Sequence, residues 1–236
     1  MKFSKFLMSS AAIAVTALTS SSAMAVQQGD WLVRARIINI APNVSSGNIT
    51  AMDGTSLESA GIPDGSTIDV DDATTLDIDI SYFFTNNFAV ELLLDFPASH
   101  DITGDGSING IGKIGEVAPL PPALIAQYHF MPQNNIRPYA GAGIGYVFFL
   151  NEETTDTLTG AITGATSTGL DVDDTFYTVI QAGVDFDINQ DWYWNLDAKY
   201  MFIDSTAVVQ VNGADTAKVD FDLDPLVLGV GIGTRF

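Results

Sequence analysis

The chain has 236 residues, no Cys, two His (His100 and His129), and nine basic against 29 acidic side chains, for a formal net charge of −20. That balance excludes nucleic acid as a partner, because phosphate binding needs clustered Lys and Arg. The lack of Cys excludes disulfides, Cys-ligated metals and a Cys nucleophile, and two His argue against a multi-His metal site. No cofactor and no metal are therefore expected. At 47% hydrophobic and 16% charged, the chain has the composition of a folded protein.

In chain order, Lys2 and Lys5 precede an apolar stretch from Phe6 to Leu18, followed by small residues ending in Ala23-Met24-Ala25. A charged n-region, a short h-region and an A-x-A site predict a signal peptide over 1–25, with the mature chain starting at Val26. A secreted soluble protein is one outcome of such export. Beyond Val26 nothing approaches the run of about 18 apolar residues that a spanning helix needs. Alternation recurs instead, in eight segments near 30–40, 73–84, 87–97, 121–130, 136–149, 175–187, 191–203 and 219–236. About ten residues of tilted strand match the ~25 Å apolar band of an outer membrane. Thr85-Asn86-Asn87, Met131 to Asn135 and Asn189-Gln190-Asp191 are tight turns, whereas 41–72, 98–120, 150–174 and 204–218 are long and rich in Asp, Gly, Thr and Ser. The prediction is an all-β fold: an eight-stranded antiparallel transmembrane β-barrel over 26–236, with short periplasmic turns and long extracellular loops, in the outer membrane of a Gram-negative cell.

Face assignment separates this from a soluble barrel of lipocalin type, which carries its apolar residues inside. One parity contains Val33, Ile78, Leu92, Leu124, Ile144, Ile180, Leu196 and Val230 and no charge. Trp31, Phe84, Phe88, Phe130, Phe186, Trp192 and Phe236 end it at one level, and Phe96, Phe148, Phe176 and Phe202 at the other. Two aromatic rings around an apolar band are interface girdles.

The other parity faces the lumen. Its periplasmic half carries Arg34, Arg36, Asp77, Asp79, Glu91, Arg137, Asp185, Asp197, Lys199 and Arg235. Eight strands leave room only for side chains, and buried charges must pair, so these residues are expected to form an ion-pair plug. Nearer the loops the same parity becomes apolar, with Leu93, Ile125, Val147, Phe149, Val179, Met201 and Val227 as the expected lining of a cavity open to the outside. Inward Gly141, Gly143, Gly145, Gly229, Gly231 and Gly233 leave volume or make room for Arg and Tyr opposite. A dry pocket above a closed floor favours small hydrophobic molecules. Their exit would be sideways, and Pro121 and Pro122, which cannot donate to a ladder, mark a candidate lateral opening.

The segments Pro121-Pro122-Ala123-Leu124-Ile125-Ala126-Gln127-Tyr128, Arg137-Pro138-Tyr139-Ala140-Gly141-Ala142-Gly143, Ile188-Asn189-Gln190-Asp191-Trp192, Leu223-Asp224-Pro225 and Arg235-Phe236 resemble the outer-membrane protein W (OmpW) family across essentially the whole mature chain. The resemblance implies an eight-stranded porin-like barrel for hydrophobic transport by passive uptake, with lateral diffusion into the membrane. It also implies that Phe236 is the signal read by the barrel-assembly machinery, and that Leu93 stands where a Leu narrows the channel. Lys199 stands where that family places an aromatic. Expected partners are outer-membrane lipid, lipopolysaccharide and small hydrophobic molecules. A non-conducting structural or adhesive barrel is the alternative.

Asp101-Ile102-Thr103-Gly104-Asp105-Gly106 begins like a calcium loop, but Thr103 and Gly112 stand where ligands are required, so an ordinary polar loop is the better reading. Asp69-Asp71-Asp72 and Asp171-Asp173-Asp174 are expected at the outer rim. No nucleophile stands at a readable spacing from His129, so no catalytic residues and no enzyme are expected.

Overall fold

The computed structural model describes residues 25–236, so the expected signal peptide over 1–25 lies, apart from Ala25, outside the described residues. Among these residues eight strands close into an antiparallel barrel: β1 (Trp31–Ala41), β2 (Ala73–Phe83), β3 (Phe88–Asp95), β4 (Ala123–His129), β5 (Ile136–Thr154), β6 (Thr175–Asp187), β7 (Trp192–Phe202) and β8 (Leu226–Arg235). Each pairs with the next, and β1 pairs with β8 to close the ring. Closure is what lipid demands, since an open sheet edge would leave a row of N–H and C=O groups without water. At the periplasmic rim Trp31 N–H donates to the Phe236 carbonyl at 3.1 Å, and Phe236 N–H donates to the Trp31 carbonyl at 2.9 Å.

The period-two pattern sets which side chains meet lipid. Along β3 exposed and buried residues alternate without a break. Val33 aside, which is half-buried, the assigned outward residues named above are exposed, as are nearly all of the girdle aromatics. Girdle rings pack edge to face, Tyr128 against Phe88 and Phe130 with centroids 5.0 and 5.1 Å apart, and Tyr146 against Phe148 and Phe176 at 4.9 and 4.8 Å. Inside, three Tyr lie flat across glycines of a neighbouring strand: Tyr139 on Gly183, Tyr177 on Gly145 and Tyr193 on Gly233. A Cβ at these glycines would approach the rings to 2.4, 2.3 and 2.3 Å, so they make room rather than leave it empty.

The long connections differ from expectation, because they are largely strands themselves. Ser66–Val70, His100–Gly106 and Lys113–Leu120 form a sheet that continues along the upper half of β5. Thr168–Val172, Asp204–Val211 and Ala214–Asp222 form a second, joined by Ser45–Ser46 and Thr50–Ala51. A short helix, Asp156–Ala161, is capped by Thr155, whose Oγ1 accepts from Leu158 N–H at 3.2 Å. Residues 101–106 therefore belong to a strand paired on both edges rather than to a polar loop. The segment 219–236 is not one strand: at Leu223-Asp224-Pro225 the Asp224 backbone turns to φ 35° and Pro225 lacks an N–H. Asp224 Oδ1 accepts there from Ile203 N–H at 3.2 Å.

Two substitutions test this arrangement. Replacing lipid-facing Ile180 by Arg should lower the urea-unfolding free energy in lipid by about 2–4 kcal/mol. Gly183→Ala, which drives a methyl into the Tyr139 ring, should cost about 1–3 kcal/mol. Unchanged unfolding midpoints would contradict the assignment of faces and the close ring contact respectively.

Candidate functional site

The lower lumen is built by cross-strand register. β1 places Arg34 between Asp79 of β2 and Gly233 of β8, and Arg36 between Asp77 and Gly231. Arg34 fans out its fork: Nη1 donates to Ser81 Oγ at 2.8 Å and Glu91 Oε2 at 2.9 Å, while Nε and Nη2 take Asp185 at 3.3 and 3.1 Å. Arg36 Nε donates to Asp77 at 2.9 Å, and Nη1 donates to Asn195 Oδ1 at 3.1 Å; the guanidinium also pairs with Asp79 and, at 3.4 Å, with Asp197. Lys199 bridges Asp197 and Asp77 at 2.9 and 3.3 Å.

Neutral groups link the charges. Gln181 Nε2 donates to Glu91 and Asp197, each at 2.9 Å, and its Oε1 accepts from Gln127 at 2.8 Å. Tyr139 hydroxyl donates to Asp197 at 2.6 Å. A bidentate Arg fork and shared carboxylates suit a water-poor interior, where an unpaired charge costs several kcal/mol. Nine of the ten expected plug residues are buried in this network or beside it, Arg137 pairing with Asp187 and lying over the Tyr193 ring at 5.3 Å. Arg235 sits lower, half-buried at the periplasmic mouth, where Nη2 donates to the Gln190 carbonyl at 2.9 Å.

Above Arg36 the lumen turns apolar. Leu93, Ile125, Val147, Phe149, Val179, Met201 and Val227 are all buried in one cluster that continues into the rim sheets through Ile68, Ile102 and Phe221. The expected open cavity is instead a column of voids of about 50, 20 and 30 Å³ from rim to membrane level. Ile68 and Ile102 border the upper two, and His100, Pro119 and Leu223 the lower two. Ligand sites usually measure at least about 300 Å³, so the column must widen to pass a molecule.

Beside Pro121 and Pro122 the ladder is broken on one side. Pairing of β3 with β4 stops at Leu93 opposite Ala123, although β3 runs on to Asp95. On the other side the wall stays knit: Tyr146 N–H donates to the Pro122 carbonyl at 3.1 Å, and Phe148 pairs with Leu120. The Pro121 carbonyl, without a ladder partner, accepts at 2.6 Å from the Tyr177 hydroxyl, which reaches over Gly145 of β5. The lowest void touches both edges of this seam, at Asp95 and Phe96 and at Pro119 and Pro121. Sequence reasoning passed over Asp95, Tyr177 and Tyr193, all on the inward parity and so within reach of the same two-residue count. At the rim, hydrogen bonds to Asp101 and Glu116 hold the Lys113 ammonium above its usual range.

A closed eight-stranded barrel with an apolar band, two aromatic girdles and an ionic interior is an integral outer-membrane protein. The OmpW family model matches residues 27–236. The chain is 33% identical over 224 residues to outer membrane protein W of Vibrio cholerae, covering 94% of this chain and 95% of that one. It is 25% identical over 210 residues to the dibenzothiophene metabolism operon protein PahQ of Pseudomonas aeruginosa, covering 89% and 90%. The crystal structure of OprG from Pseudomonas aeruginosa superposes with a TM-score of 0.79 at 27% identity, covering 91% and 99%. The chain belongs to the OmpW family.

Removing one member of the lower network should expose its interdependence. Arg34→Met strands Glu91 and Asp185 in the lumen and should destabilise the barrel by about 3–5 kcal/mol, measured by urea titration in lipid. Adding Glu91→Gln and Asp185→Asn should recover most of that loss. A single substitution without effect would contradict a network of mutually required charges.

Proposed function

We propose that the protein is a passive conduit by which small apolar molecules leave the outer surface, descend the apolar column and pass sideways into the membrane between β3 and β4. The single observation that carries this reading is the seam above Leu93 and Ala123, where the column's lowest void reaches the lipid-exposed side chain of Phe96. The buried ionic network is read as a plug that closes the axial route, because a solute crossing it would have to break several paired charges. A relative named for a dibenzothiophene metabolism operon supports an apolar, aromatic-sized cargo.

The chemistry proposed is transfer, not turnover. His129 stacks between Phe83 and Tyr139, with ring centroids 4.6 and 5.1 Å away, and its Nε2 faces Gln127 at 3.2 Å. Phe83 has no reactive atom, and the Tyr139 hydroxyl donates to Asp197 rather than to His129. Phe236, exposed at the end of the closing strand, is proposed as the assembly signal, and the aromatic girdles as the contacts with lipid and lipopolysaccharide.

Cells expressing the protein should accumulate naphthalene faster than cells lacking it, and Val147→Arg, filling the middle of the column, should abolish the difference. Folding of the variant is checked by heat-modifiable mobility. The chain lacks Cys, so Phe96→Cys with Pro121→Cys can be bridged by a reducible bifunctional thiol reagent. Bridging should block accumulation and reduction should restore it; accumulation that persists through the bridge would sink the lateral route. A gain that persists in a folded Val147→Arg barrel would rule out the column as the route, and no gain over cells lacking the protein would leave a structural or adhesive role.

A further inference from the structure

The lowest void is apolar except at two places, Asp95 and His100. Asp95 ends β3, two residues above Leu93 on the inward face, and is 6% exposed. Among the described residues its Oδ1 has no hydrogen-bond partner. The cations nearest it are already engaged: Lys199 with Asp197 and Asp77, and Arg36 with Asp77, Asp79 and Asp197. His100, 4% exposed, lies 2.8 Å through Nδ1 from the Asp71 carbonyl. A carbonyl only accepts, so Nδ1 donates, and in the neutral ring Nε2 is left as an acceptor.

A void with apolar walls, a carboxyl oxygen without a partner and a ring acceptor is incomplete in a defined chemical sense. A buried carboxylate oxygen without a donor costs free energy that an incoming donor recovers. Donor number and charge then separate the candidate heads: a hydroxyl offers one hydrogen, a carboxylate none, and an ammonium three together with a positive charge. Charge balance points the same way. Among the described residues the buried lumenal charges comprise four cations (Arg34, Arg36, Arg137, Lys199) and six carboxylates (Asp77, Asp79, Glu91, Asp95, Asp185, Asp197).

We propose that Asp95 and His100 form a polar subsite at the lateral seam that holds the ammonium head of an amphiphilic primary amine, whose apolar body lies among Met201, Val227 and Pro121. The subsite rests on the apolar-column reading and adds to it a preference among apolar cargoes. The seam suits such a molecule, since the head is retained at the polar end of the void while the tail faces Phe96 and the lipid beyond.

The test is displacement of a fluorescent apolar probe from the full-length barrel in nanodiscs by octylamine, 1-octanol and octane. Octylamine should displace the probe at roughly tenfold lower concentration than 1-octanol. Asp95→Asn, which keeps shape and removes charge, should weaken octylamine about tenfold and leave octane within about twofold; His100→Phe, which removes the ring acceptor, should weaken octylamine alone. Both variants are checked by heat-modifiable mobility. Equal loss of octylamine and octane, or octylamine binding unaltered in a folded Asp95→Asn barrel, overturns the subsite. Failure of all three compounds to displace the probe from the parent protein overturns the apolar column itself and is told apart by the octane arm.

Discussion

Lipid cannot hydrogen-bond a peptide group, and that constraint fixes almost everything else in this molecule. It forces the sheet to close, and with eight strands the closed interior is too narrow for bulk water. Every inward side chain must then find its partner inside the barrel. The lower lumen meets this requirement with Arg forks, shared carboxylates and amide links, and the upper lumen with hydrocarbon. Both arrangements lie on the same parity of the same strands, so function is written as a change of composition along the barrel axis.

In the proposed conduit, that change carries the transport chemistry. A polar solute entering from above would lose its water in the apolar column and then meet charges that already have partners. An apolar solute loses nothing in the column and is stopped only at the floor. The proposed exit lies where, beside the double proline, the pairing of β4 with β3 ends while the wall toward β5 stays paired. Tyr177 supplies the hydrogen that the Pro121 carbonyl no longer receives from a ladder, so that carbonyl is not orphaned.

Much of this was legible in the sequence because a period of two is unambiguous when one face meets lipid. The barrel strands, both girdles and the inward burial of residues such as Arg34, Asp77, Leu93 and Val147 follow from counting by twos along each strand. Of the rim strands only 219–222 falls within an alternating segment: Ser66–Val70 and the first half of Ala214–Asp222 are short and carry Ser, Thr and Asp, a composition shared with loops. Their inward residues, Ile68, Val219 and Phe221, cap the column, and this is why an expected open cavity is a nearly filled one. Asp95 shares the inward parity but stands two residues above Leu93, at the apolar level of the lumen, where the axial change of composition predicts no charge.

The central claim is that the barrel is shut along its axis and open at its side. Planar-bilayer conductance of the purified protein tests the first half without assuming any cargo. The account predicts bilayers that stay at baseline current under applied voltage, since no water-filled path crosses the level of Arg34 and Arg36. Stable stepwise currents, carried through the parent barrel and altered by Arg36→Met, would place an aqueous pore where the ionic network stands and would contradict it.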